Sequence, residues 1–237
     1  MGSRIQPTSH EGTTVYIWDE PRYSPTEAGR IVGLTVGRVR RWLRGYQYQH
    51  GDNVVTMAPV LTRESDSKYA SFLDLVDLLF VKKFLEVGFS LQKIRSALAE
   101  AEGIVGGHHF AQRSFMTDGK NIFLWVKDSN SPHLLQLFSS GQWVIEDFIV
   151  RLARQIDFDE ETGFAERWYP AGREGRVVLD PRIAFGAPTI IGTGVRTANI
   201  YDLFVGENEN KQATAEWLNL RIEDVSAAIG YEQSIAA

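Results

Sequence analysis

Cysteine is missing from the 237 residues. Disulfides, thiolate catalysis and cysteine-based zinc or redox sensing are therefore excluded. Also missing is any run approaching the roughly 18 consecutive apolar residues that a membrane helix needs. The opening stretch, MGSRIQPTSHEGTT, has no apolar core, so no secretory leader is expected and a cytoplasmic protein is the default. Positive charge is in deficit, with 25 Lys and Arg against 30 Asp and Glu. No Walker loop and no GxSxG elbow occurs, and Gly186, Gly192 and Gly194 do not form a GxGxxG fingerprint.

What is present is ordinary globular material. Apolar residues make up 43% and charged residues 23%, and the length suits one large domain or two smaller ones. The charge is unevenly spread. Residues 23–63 hold six arginines (Arg30, Arg38, Arg40, Arg41, Arg44 and Arg63) but only two acids, Glu27 and Asp52. A basic window in an acidic chain is the footprint of a local contact with a polyanion, not of a protein that coats nucleic acid.

That window has an internal grammar. Residues 13–18 read as a short strand. In YSPTEAGRIVG, Ser24 fits an N-cap, Pro25 the first helical position and Glu27 the third, closing a capping box, and Gly33 ends the helix. Thr35 is a second N-cap, for a helix that runs to about Leu43 and stops at Gly45. Two short helices joined by a glycine turn form a helix-turn-helix. At about 100° per residue, Val36, Val39, Trp42 and Leu43 share one arc and the four arginines share the other. Guanidinium groups on such a face can fork onto guanine edges or clamp phosphates. Residues 46–63 then alternate about His50-Gly51-Asp52-Asn53, which reads as a hairpin wing. Tyr46, Tyr48 and His50 can reach DNA backbone from it, or the tyrosines can cover the core edge. Ser71 to Val87 reads as a capped, mostly buried helix ended by Gly88, and Ser90 caps another.

YSPTEAGRIVGLTVGRVRRWLRG followed by DLLFVKKFLEVGFSLQKIRSAL resembles the DNA-binding domain of the MerR family over about residues 22–102. The Arg-x-aromatic step is matched by Arg40 and Trp42, and the last helix start by Gly88-Phe89-Ser90-Leu91 and Ile94. The resemblance implies a winged helix-turn-helix, with Thr35, Arg38, Arg40, Arg41, Arg44, Tyr48 and His50 facing DNA. It departs in one respect, because no heptad run for a dimerisation coiled coil follows.

Residues 104–176 suggest a small β-layer plus one helix. Hairpin turns are expected at Asp118-Gly119 and at Ser139-Ser140-Gly141, and residues 146–156 place Phe148, Ile149, Leu152 and Ile156 on one helical face. The region is a candidate dimer surface, and a homodimer is expected. DFDEET, 157–162, gathers acids at a spacing that fits no calcium loop, so a solvated turn is expected. Residues 165–175 read as a linker.

The C-terminal stretch offers a strand, an Asp-Pro turn, two glycine turns and three helical patterns: Ala198 to Phe204, Lys211 to Leu218, and Ile222 to about Gln233. The last two form a second helix-turn-helix-like pair without an arginine face, better suited to a protein partner than to DNA. Asp180-Pro181-Arg182-Ile183, Gly186, Pro188, Gly192-Thr193 and Asp202-Leu203 resemble the DUF433 family of VapB-type antitoxins over roughly 175–233. Where that family usually has arginine directly after Gly-Thr, this chain has Gly194 and places Arg196 two residues on. The pairing of both modules resembles the long, atypical antitoxins of mycobacteria. It implies a PIN-like ribonuclease toxin as partner, with Arg182, Arg196, Tyr201 and Trp217 as contact candidates, and autorepression through the DNA-binding half.

The expected architecture is therefore α+β, mainly α. A winged helix-turn-helix occupies 13–103, a mixed β/α region 104–170 and a helical partner-binding module 175–233. The expected function is an antitoxin and autorepressor with operator DNA and a toxin as partners, no membrane contact, no catalytic role, no metal and no cofactor. Adjacent His108 and His109 point different ways and make a poor metal pair, and His133 stands alone. A second reading is a stand-alone regulator that senses a small molecule through Trp125, Phe138 and Trp143. A third, an enzyme, has no constellation of residues behind it.

Overall fold

The computed structural model describes residues 8–10, 13–61, 63, 67–96, 98, 109–113 and 142–236. A short antiparallel ribbon, β1 (Thr8–His10) with β2 (Thr13–Val15), leads in. Helix α1 (Pro25–Val32) starts as its sequence dictates: Ser24 Oγ accepts the Glu27 N–H, and the Glu27 carboxylate accepts the Ser24 N–H. Gly33 ends it in the left-handed region at φ 67°, a conformation that costs a residue with a Cβ. Helix α2 (Val36–Arg44) is capped by Thr35 and closed by Gly45. The wing consists of β3 (Tyr46–His50) and β4 (Asn53–Met57), paired from Tyr46↔Met57 to His50↔Asn53.

Helix α3 (Phe72–Glu86) is buried on nearly all sides, with Phe72, Leu75, Val76, Leu78, Phe80 and Phe84 inside. Its Ser71 cap and Asp74 form a second capping box. Residues 91–96 are helical, and Ser90 Oγ accepts the Lys93 N–H. A short turn, His109–Ala111, lays Phe110 against α3, its ring stacked on Phe80 at 4.7 Å. The buried Asp77 carboxylate accepts the Phe110 N–H at 3.1 Å. Helix α4 (Gln142–Arg154) packs on the same aromatic group, Phe148 edge-on to Phe80 at 5.1 Å.

Two expectations are corrected here. Residues 142–145 are helical, not the second arm of a hairpin, because the apolar helical spacing of 146–156 extends back through a run too short to specify a strand. Residues 165–175 are not a linker. They contain strand β6 (Ala165–Trp168), paired with β5 (Ile156–Phe158). Trp168 is buried and exchanges backbone hydrogen bonds with Leu179 at 3.0 and 2.8 Å. Asp157 is held by Tyr169 and Arg173, and Asp159 Oδ1 caps the following turn by accepting the Thr162 N–H. The Asp118-Gly119 and Ser139-Gly141 turns, Trp125, Phe138, His108, His133 and the Trp143 side chain lie outside the described residues.

Strands β7 (Val177–Val178) and β8 (Thr189–Ile190) pair, and α5 (Thr197–Gly206) and α6 (Lys211–Leu218) pack on α7 (Ile222–Ala236), which packs over the two strands. Their core holds Val177, Ile190, Ile200, Phe204, Val225, Ala228 and Ile229. The larger core runs from Trp18 through α3 to Leu152, Trp168 and Leu179. The fold is α+β, mainly α, with small antiparallel sheets.

The two ends of the chain meet at a polar joint. The Tyr23 hydroxyl donates to the Gly186 carbonyl at 2.8 Å, and Arg22 Nη1 donates to the Pro181 carbonyl at 3.0 Å. Arg30 lies 3.5 Å from Glu232, whose carboxylate also accepts the Thr197 hydroxyl. Burial pushes the Tyr23 and Tyr231 hydroxyls well above the usual tyrosine range, so both stay protonated and Tyr23 remains a donor.

Candidate nucleic-acid interface

The hydrophobic edge of α2 is anchored and its basic edge is left in water. Val39, Trp42 and Leu43 are buried, whereas Arg38, Arg40, Arg41 and Arg44 are exposed. Arg41 and Arg44 sit in the last turn, where cations also offset the helix dipole. Among the described residues no carboxylate forms an ion pair with any of the four. Thr35 Oγ1 is engaged as the N-cap acceptor of the Arg38 N–H at 3.4 Å.

Arg41 differs from its neighbours. Its Nε donates to the Gly37 carbonyl at 3.1 Å, and its guanidinium lies 5.6 Å over the Tyr46 ring. It therefore joins the helix to the root of the wing, whereas Arg38, Arg40 and Arg44 make no side-chain hydrogen bond among the described residues. The wing's return strand is fastened at its base, where the Trp42 carbonyl accepts the N–H groups of Val60 and Leu61 at 2.8 and 3.1 Å. Beyond that base the ribbon stands in solvent: Tyr48 is exposed, its ring 6.0 Å from Tyr46, and His50 is exposed at the tip. Helix and ribbon together offer a cationic, aromatic-edged surface of the kind that enters a groove and tracks its backbone.

The partner-contact candidates of the C-terminal module fare unevenly. Arg182 is spent inside the protein: its Nε donates to Asp180 at 2.7 Å and its Nη1 to Glu166 at 2.9 Å, which hold its guanidinium in the charged form. Arg196 is exposed but donates to the Ala184 carbonyl at 3.1 Å. Tyr201 is half-buried on the α5–α7 core. Trp217 is 73% exposed, with Glu216 and Glu223 exposed nearby in sequence. The buried acids Asp180 and Asp224 are matched by arginines, so the uncompensated negative charge is that of the exposed helix surfaces. Among the described residues no group of three or more histidines or acids could hold a metal, and no helix is long and apolar enough to cross a membrane.

Sequence reasoning missed two features. Phe185 is 78% exposed on a loop whose residues 184 and 185 take φ 49° and 60°, a strained conformation for a bulky residue. Its only sequence signal is the adjoining Gly186. Lys68 and Tyr69, in a stretch without periodicity, border the same hollow as Arg40 and Arg44.

The comparisons with known proteins divide the chain along these lines. Residues 21–98 match the family model described as "Putative DNA-binding HTH domain", and residues 177–231 match DUF433, a "Protein of unknown function". The chain carries a helix-turn-helix domain and a DUF433 domain. It is similar to the "Putative antitoxin VapB45" of Mycobacterium tuberculosis, 27% identical over 199 residues that span 77% of this chain and 82% of that protein. Its fold is that of the crystal structure of Rv2018 from Mycobacterium tuberculosis, with a TM-score of 0.67 at 22% identity, covering 90% of this chain and 99% of that one. The helix-turn-helix match includes α1, α2, the wing and α3, and the DUF433 match begins at β7 and ends within α7.

Proposed function

We propose that this protein is a non-enzymatic antitoxin that represses its own gene pair. The helix-turn-helix domain binds operator DNA and the DUF433 domain neutralises a PIN-like ribonuclease toxin. One observation carries the reading: an arginine face on α2 that no carboxylate among the described residues pairs with shares a chain with a DUF433 match, in a protein similar to an antitoxin. Residues 13–103 act as the DNA-binding unit, 104–170 as the middle region and 175–233 as the toxin-binding unit.

At the DNA, Arg38, Arg40 and Arg44 reach base edges or phosphates, Arg41 braces the wing, and Tyr48 and His50 contact backbone. A homodimer presents two such helices to half-sites about one helical turn apart. At the toxin, Trp217 is the apolar anchor and Phe185 a second one, while exposed acids steer a basic ribonuclease toward the module.

Co-expression in a bacterial host with a PIN-like ribonuclease, the product of the adjacent gene being the first to try, tests the proposal. Restored growth and a stoichiometric complex by size-exclusion chromatography are expected. Growth arrest that persists, with no complex formed, overturns the antitoxin role and leaves the helix-turn-helix as a stand-alone regulator.

A further inference from the structure

The arginine face of α2 borders a hollow. A cleft of about 660 Å³ opens between the first turn of α1, the C-terminal half of α2 and residues 68–69. Arg40 and Arg44 line one side, Lys68 and Tyr69 another, and Thr26 of α1 a third. All five are exposed, and no carboxylate among the described residues forms an ion pair with the three cations. Three like charges around one concavity repel each other unless an anion sits among them.

The lysine is not a casual surface residue, because the segment that carries it is held from below. Arg63 Nη1 donates to the Ser67 carbonyl at 2.9 Å, and its Nη2 donates to the Tyr69 carbonyl at 2.7 Å. The same Nη2 lies 2.9 Å from Asp74 Oδ2, with the two side chains only 5% and 1% exposed. Asp74 is itself fixed in the capping box of α3. A buried ion pair costs desolvation energy, and this one spends its fork on the two carbonyls that flank Lys68. The Lys68 ammonium lies 5.5 Å over the Tyr69 ring, which leaves it directed by an aromatic face as well.

We infer that this cleft is a clamp for one strand of duplex DNA backbone, in which Arg40 and Arg44 meet phosphate while Arg38 on the same helix faces the groove. A phosphodiester lies between Arg40 and Arg44 on one wall and Lys68 with the Tyr69 hydroxyl on the other. Arg63 is a positioning residue that aims Lys68 without touching DNA. The inference rests on the DNA-binding reading above. A backbone clamp carries no sequence information and fixes the register in which α2 meets the bases.

The test is fluorescence anisotropy of the full-length protein on a mixed-sequence DNA duplex, titrated between roughly 50 and 200 mM salt. Lys68→Gln is expected to weaken binding several-fold on every duplex tried and to flatten the slope of log affinity against log salt by about 0.9, one phosphate's worth. Lys68→Arg keeps the slope. Arg63→Lys, which retains charge beside Asp74 but loses the fork, is expected to flatten the slope like Lys68→Gln. The double variant is then expected to add nothing further. Wild-type slope and affinity in Lys68→Gln, with losses in Arg40→Gln and Arg44→Gln, overturn the clamp and leave DNA binding intact. An effect of Lys68→Gln confined to single-stranded RNA assigns the cleft to RNA and also overturns it. A normal slope in Arg63→Lys removes the positioning role. No binding of any duplex by the wild type removes clamp and DNA reading together.

Discussion

The Tyr23 hydroxyl, one residue before the cap of α1, donates a buried 2.8 Å hydrogen bond to the carbonyl of Gly186, which lies 163 positions away in the DUF433 domain. Gly186 sits at φ 81°, and a Cβ there would collide with the Tyr23 hydroxyl. The glycine thus serves both a backbone conformation and a close approach. Tyr23→Phe is expected to destabilise the protein by about 1–3 kcal/mol, since it leaves a buried carbonyl without its donor. Gly186→Ala is expected to cost at least as much, from the positive φ and the collision together. Urea denaturation measures both, and wild-type midpoints would mean that the joint contributes nothing to stability.

The arginines of α2 are expected to separate by role. Arg40→Ala or Arg44→Ala should reduce operator affinity by about 1–3 kcal/mol if the side chain reads a base edge. Either should flatten the salt slope by about 0.9 if it meets a phosphate. Arg41→Ala also weakens operator binding, but through a loosened wing, because its guanidinium rests on Tyr46. Hydrogen exchange across residues 46–57 should therefore rise in Arg41→Ala and not in Arg40→Ala. Operator affinities equal to wild type in all three variants would remove α2 from the interface.

Trp217→Ala and Phe185→Ala probe the proposed toxin face. Both side chains are largely in water, so unfolding free energy should stay within about 0.5 kcal/mol of wild type. Toxin affinity should fall by about 2 kcal/mol or more in either variant if the residue is an anchor. Phe185→Gly is expected to raise stability while losing toxin affinity, because it relieves the left-handed strain and deletes the ring. Calorimetric titration with unchanged affinity in Trp217→Ala would place the contact elsewhere on the module.

Acid should loosen the β5–β6 hairpin through Asp157. Burial works to raise its pKa, but the hydrogen bonds from Arg173 and Tyr169 and the charges of Arg173 and Arg167 outweigh it, so the carboxyl is held below the usual range. A depressed native pKa stabilises the fold above the unfolded value near 4. That contribution is lost as pH falls through the lower native value. The wild type should therefore lose more stability than Asp157→Asn between neutral pH and about pH 3. Parallel losses in both proteins would mean that Asp157 carries no linked proton.

The legible parts of this fold are those written in a few adjacent residues. Ser24, Pro25 and Glu27 specify the start of α1, Thr35 and Gly45 bracket α2, and Lys211–Leu218 of α6 was bounded by its own pattern. The basic face of α2 was legible too, because helical geometry alone sorts Val39, Trp42 and Leu43 from the arginines. Illegible were the pairings between distant residues. Nothing in AERWYPAGREG announces that Trp168 pairs with Leu179, so a strand read as a linker. Arg182 and Arg196 look alike as free arginines, yet one is locked to Asp180 and Glu166 and the guanidinium of the other donates to the Ala184 carbonyl. Arg63 looks like a stray charge until Asp74 is found beside it.

The joint at Tyr23 also bears on how such a protein can change over generations. Its two domains are not exchangeable cassettes. A DUF433 domain grafted from a relative must bring a glycine at 186 to admit the tyrosine and an acid at 232 to meet Arg30 and Thr197. A helix-turn-helix domain taken from elsewhere must bring Arg22, Tyr23 and Arg30 in register on its first helix and the residues before it. An exchange of either domain alone therefore breaks the Tyr23–Gly186 and Arg30–Glu232 contacts unless the incoming domain carries the matching residues.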